Sequence, residues 1–166
     1  MKRIVCLLTV ILLVSALVAC KAPEESGINF ASLSLKGTVV APDAEAGPVL
    51  AALGAYRDSA ETPSCYGDGK DRVYEYTSFK VKTYSKAGKE YILAVDIFSD
   101  ADEAAVTPEG IRVGASRDDV IATYGEATEA DDFKLVYLHT DGNTKLQFSL
   151  RNGAVTNVMY LKADSN

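Results

Sequence analysis

The sequence predicts an α+β fold, a tandem repeat of a short helix followed by a three-stranded antiparallel sheet, with the helices packed on one sheet face. Two short helical patterns, one opening at Gly47 and one at Ser116, are each followed by three strand-like runs. Asn152-Gly153, set between two of those runs, is a strong hairpin signal because both residues tolerate the positive φ of a two-residue turn. Neither helix is long enough to persist alone in water, so each must lay an apolar stripe on a sheet.

The first helix is read from Gly47-Pro48-Val49-Leu50-Ala51-Ala52-Leu53-Gly54, with proline in its first turn, glycine just past its end, and Val49, Leu50 and Leu53 on one face. A long loop, residues 55–72, leads to strand-like runs at Val73 to Tyr76, Phe79 to Tyr84 and Glu90 to Phe98. These make unit one, about residues 31–99. An acidic connector follows, and unit two, about residues 107–162, repeats the plan.

Its helix starts at Ser116 as N-cap, carries Asp118 and Asp119 in the positive first turn, and stops at Gly125. Val120, Ile121 and Tyr124 match Val49, Leu50 and Leu53. Strands are expected at Phe133 to His139, Thr144 to Leu150 and Ala154 to Leu161. A two-residue turn at Asn152-Gly153 pairs Leu150 with Val155 and turns Leu146, Phe148 and Leu150 toward the core. A bulge at Thr156-Asn157 is then needed to bring Val158 and Tyr160 inward as well.

Ahead of the domain, Lys2 and Arg3 precede an apolar run from Ile4 to Ala19, shorter than the roughly 20 residues of a spanning helix. It ends in Leu17-Val18-Ala19-Cys20, which resembles the lipobox of a bacterial lipoprotein signal. Residues 1–19 are therefore expected to be removed, Cys20 to carry lipid, and residues 20–30 to form a flexible tether to one α+β domain, 31–166. The expected location is the cell membrane, lipid-anchored, on the extracytoplasmic side, with the membrane as a partner through Cys20.

Acidic residues outnumber basic ones 23 to 17, and the imbalance deepens once Lys2 and Arg3 leave with the leader. Such a chain repels phosphate backbones, so nucleic acid is not an expected partner. Of three cysteines, Cys6 leaves with the leader and Cys20 becomes a thioether, so Cys65 stands alone and is expected to be a buried small hydrophobe.

Gly114-Ala115-Ser116 leading into Tyr124-Gly125-Glu126, and strands ending in Leu150-Arg151-Asn152-Gly153-Ala154-Val155, resemble the repeat of β-lactamase inhibitor protein-like domains, shared by outer-membrane assembly lipoproteins of the SmpA/OmlA type. Pro63-Ser64-Cys65-Tyr66-Gly67, Asp71-Arg72-Val73-Tyr74-Glu75-Tyr76 and Thr107-Pro108-Glu109-Gly110-Ile111 resemble uncharacterised surface lipoproteins of Gram-positive, Clostridia-type gut anaerobes. The resemblance covers Val49 to Leu161 and carries no known activity.

No catalytic constellation stands out. His139 is the sole histidine, so any relay must pair it with Cys65 or a serine from another part of the chain. Gly67-Asp68-Gly69-Lys70-Asp71 resembles a fragment of a calcium loop but lacks the alternating ligands and terminal glutamate, and Lys70 adds a repelling charge. Asp100, Asp102 and Glu103 read as a solvated acidic connector. Neither a metal nor a cofactor is expected.

Nine tyrosines and no tryptophan remain. Tyrosine joins an apolar face to a polar tip and loses little entropy on binding. The reading is a non-enzymatic binding or assembly module meeting an envelope protein partner through Tyr66, Asp68, Asp71, Tyr74, Tyr76 and Tyr84. The alternatives are an inhibitor of a secreted hydrolase and a Cys65-dependent enzyme.

Overall fold

The computed structural model describes residues 27–30, 32–65, 67–102 and 105–163. The leader, Cys20, most of the tether, Tyr66 and Glu103 lie outside the described residues. In chain order the elements are β1 (Ser34–Leu35), β2 (Thr38–Val39), α1 (Ala46–Leu53), β3 (Asp58–Pro63), β4 (Lys70–Glu75), β5 (Phe79–Lys86) and β6 (Lys89–Ile97). Then come α2 (Arg117–Tyr124), β7 (Glu129–Ala130), β8 (Lys134–Leu138), β9 (Thr144–Arg151) and β10 (Ala154–Lys162).

This architecture corrects the expected fold class. The chain is mostly β, 46% strand and 12% helix, and it forms one eight-stranded antiparallel sheet beside a two-stranded one instead of a tandem of helix-plus-three-strand units. The sheet order is β3-β4-β5-β6-β10-β9-β8-β7. Two causes separate the expectation from the structure. Strands β3 and β7 are exposed at every position, so no apolar alternation marks them in the sequence. And β6 pairs directly with β10, Val95 opposite Tyr160 and Ile97 opposite Val158, which fuses what would otherwise be two small sheets.

Register explains the core. One row of partners crosses from Tyr74 through Val81, Val95, Tyr160 and Leu146 to Tyr137. A second runs from Phe79 through Ile97, Val158 and Phe148 to Leu135. All of these side chains are buried and belong to one cluster with Leu33, Leu35, Val40, Leu53, Val120 and Tyr124. The two helices and the β1–β2 hairpin thus cover one face of the sheet. Residues of the other face alternate with them: Lys80 pairs with Glu75 at 3.5 Å and Lys82 with Asp96 at 3.4 Å.

Local chemistry sets each turn. Asn152 and Gly153 take φ of 52° and 76°, the two-residue geometry whose twist matches the strands. The same geometry closes β5–β6 at Ala87-Gly88 and β1–β2 at Lys36-Gly37. The bulge expected after the Asn152 turn is present between Val155 and Asn157, and it brings Val158 and Tyr160 into the core. Ser116 caps α2 in a reciprocal box with Asp119. The helix start is also pinned to the hairpin, since the Arg117 N–H donates to the Gly153 carbonyl at 2.9 Å.

The packed domain begins earlier than residue 31. Ile28 pairs in parallel with His139, and its N–H donates to the Leu138 carbonyl at 2.8 Å. Phe30 is buried against the same end of the sheet. Ile28 and Phe30, expected in the tether, thus belong to the packed domain.

Candidate functional site

Of the tyrosines expected to form a contact platform, Tyr74 and Tyr76 face the core, and Tyr84 is buried outside the core cluster. Tyr74, Tyr76 and Tyr84 are 8%, 2% and 4% exposed. Tyr74 donates to Glu90, which also accepts from Thr83 and pairs with Arg72 at 3.2 Å. Tyr76 stacks on Phe79 with ring centroids 4.5 Å apart and reaches the carbonyl of Gly54, the residue that ends α1. Their hydroxyls are thus committed to the fold. Strand alternation shows a tyrosine's position but not which face a helix will cover, and here the covered face is theirs.

The two aspartates of the expected contact region hold a loop together. Asp68 accepts from the Ala87 N–H at 2.9 Å, tying the loop to the β5–β6 turn, and Asp71 accepts from the Cys65 N–H at 3.2 Å. Cys65 is exposed, not the buried hydrophobe expected. It follows β3 at one edge of the sheet, whereas His139 follows β8 near the other, with several strands between at about 4.8 Å each. A Cys65–His139 relay is out of reach.

A different set of residues converges where the N-terminal segment crosses the ends of β8 and β10. There a cavity of about 310 Å³ opens to solvent. Phe30, Leu33, Val40, Pro42 and Tyr160 give it an apolar wall. Ser32, Asp43, His139, Asp141 and Thr144 supply the polar part. These residues come from separate stretches of sequence, which is why no local motif marked them.

Asp43 has an unusual backbone. Among the described non-glycine residues, four have positive φ, and three of them, Lys36, Ala87 and Asn152, precede the glycine of a two-residue hairpin turn. Asp43, at φ 63°, has no such excuse. It sits after Pro42 in a turn closed by the Ala44 N–H on the Ala41 carbonyl, at the position that favours glycine or asparagine. An L-residue there pays about 1 kcal/mol.

The surroundings hold it. The Asp43 N–H donates to the Ile92 carbonyl and the Ile92 N–H returns a bond to the Ala44 carbonyl, both at 2.8 Å, so residues 43–45 extend the line of β10 along β6. The Tyr84 hydroxyl and Lys162 Nζ both donate to Asp43 Oδ1, at 2.6 and 2.9 Å. Burial alone would raise this carboxyl's pKa. The bonds from Tyr84 and Lys162 and the lysine charge outweigh it and hold the value below the usual carboxylate range.

Across the opening, Asp141 Oδ1 accepts from the Asn143 and Thr144 N–H groups at 2.7 and 3.2 Å, and Oδ2 lies 3.0 Å from His139 Nδ1. Against the effect of burial, these donors keep Asp141 ionised below its ordinary range. The His139 ring meets Phe30 edge-on at 4.8 Å, and its Nε2 lies 3.2 Å from Asn29 Oδ1. The result is a small, partly apolar recess with two carboxylates fixed in place.

Among the described residues, no group of three or more His, Cys, Asp or Glu side chains is arranged to hold a metal, and no helix is long and apolar enough to cross a membrane. Comparison of the chain with protein-family models, with curated proteins and with solved structures finds no match.

Proposed function

We propose that this chain is a lipid-anchored, extracytoplasmic binding protein, without catalytic activity, that holds a small ligand in the cavity beside Asp43. The observation that carries the reading is the left-handed backbone of Asp43. Strained non-glycine residues persist where the surroundings over-determine them, and such places cluster at ligand sites. Here two side chains and a backbone ladder hold one carboxylate at the wall of a recess. The lipobox ending at Cys20 supports the anchored part of the reading, and the separation of Cys65 from His139 supports the non-catalytic part.

The test is an amide spectrum of the full lipidated chain in detergent micelles, titrated with three probes of similar shape: tyramine, 4-ethylphenol and 4-hydroxyphenylacetate. At least one should shift the amide signals of Ser32, Asp43 and Asp141 while leaving those of the buried Tyr74 and Val81 in place. Unchanged cavity signals with all three would contradict the reading. The anchor is tested separately: Cys20→Ala should abolish palmitate labelling and leave residues 1–19 uncleaved, and labelling that persists in the variant would overturn it.

A further inference from the structure

We infer that the cavity selects a small organic cation, an alkylammonium group carried on an apolar or aromatic body; the inference rests on the binding reading above. Charge comes first. Asp43 and Asp141 both line the recess, whereas among the described residues no lysine or arginine side chain lines it. Lys162 sits on Asp43 Oδ1 without being part of the lining, and Tyr84 uses the same oxygen. Among the described residues, both bonds to the Asp43 carboxylate fall on Oδ1 and none falls on Oδ2. An ionised carboxylate accepts at both oxygens, so Oδ2 can take a second ammonium while Lys162 remains on Oδ1.

Shape supplies the rest. A volume of about 310 Å³ equals that of about ten waters, enough for a small amine. Phe30 and Tyr160 offer aromatic surface, which stabilises both an apolar body and a nearby cation. An anion would meet two carboxylates. A neutral ligand of the same outline would fill the apolar wall but leave Oδ2 unpaired with any charge.

Calorimetric titration of the full chain in micelles separates these cases. Tyramine should bind at least about tenfold more tightly than 4-ethylphenol or 4-hydroxyphenylacetate, as a charge-assisted hydrogen bond to Oδ2 requires. Asp43→Asn keeps the side-chain outline and suits the left-handed backbone, so it should cost tyramine about tenfold in affinity while leaving 4-ethylphenol unchanged. A purely structural role for Asp43 would weaken both probes together and overturn the inference. If 4-ethylphenol or 4-hydroxyphenylacetate binds as well as tyramine, the cation preference fails but the ligand site stands; if none of the three binds, the binding reading itself falls.

Discussion

The Tyr84 hydroxyl donates a 2.6 Å hydrogen bond to Asp43 Oδ1 although the two residues lie 41 positions apart. The bond couples strand β5 to the turn that shapes the cavity. Tyr84→Phe removes it and leaves the charged oxygen with Lys162 alone, so a loss of about 1–2 kcal/mol is expected. Chemical denaturation of the two proteins at neutral pH measures it; equal midpoints would show that the bond does not support the turn.

The same bond sets a pH dependence. The folded-state pKa of Asp43 lies below its ordinary 3.8, so its contribution to stability is present above that value and is lost as pH falls through the lowered one. Asp141 acts in the same direction. The gap in melting temperature between the wild type and Asp43→Asn should therefore be widest near neutrality and close below about pH 4. Lys162, whose pKa is raised by its bond to Asp43, keeps the pair intact past the ordinary lysine value of 10.5. A gap that widens in acid would contradict this assignment.

Gly27 lies against the backbone at the end of β8. A Cβ at that position would lie 2.6 Å from the His139 carbonyl oxygen and 2.8 Å from that of Leu138, and backbone cannot yield there cheaply. Gly27→Ala should cost about 1–3 kcal/mol by overpacking. More specifically, it should raise amide exchange at Ile28 and Thr140, the two N–H groups that bind the N-terminal segment to β8. Exchange unchanged at both would contradict this packing.

Two buried tyrosines should behave differently. Tyr124 sits 2.6 Å from Glu109 Oε2 and 2.8 Å from Thr107 Oγ1, and burial together with Glu109 pushes its pKa far up. Tyr160 lies in the field of Tyr124, and its buried hydroxyl has no hydrogen-bond partner among the described residues. Tyr124→Phe should therefore cost about 1–2 kcal/mol, and Tyr160→Phe less than about 0.5 kcal/mol. Denaturation midpoints in the reverse order would show that the polar cluster is centred on Tyr160.

Cys65 tests the loop it belongs to. Because it is exposed in the native fold, Ellman's reagent should titrate it without denaturant, and its modification should leave ligand binding intact. A thiol reached only after unfolding would contradict the exposed placement of Cys65.

What the sequence displayed was the part of the fold governed by local pattern. The alternation of Leu146, Phe148 and Leu150, the Asn152-Gly153 turn, the bulge beyond it and the Ser116 cap all leave period or turn chemistry in the chain. Strand β3, Asp-Ser-Ala-Glu-Thr-Pro, has no apolar face because nothing covers it, so periodicity has nothing to report. The joining of β6 to β10 is a choice between partners far apart in sequence, invisible to any short window. The tyrosines were found, but their face was not, since that depends on where α1 and the β1–β2 hairpin settle. The cavity was the least legible element. Its only local trace is Pro42-Asp43, a turn signature whose carboxylate gains meaning from Tyr84 and Lys162.

A crystal structure of the protein grown with tyramine would show the cavity's occupant itself. One tyramine is expected in the cavity, its ammonium within about 3 Å of Asp43 Oδ2 and its ring against Phe30 and Tyr160. Density for the amine on the open sheet face, or an empty cavity at saturating tyramine, would contradict the proposed site.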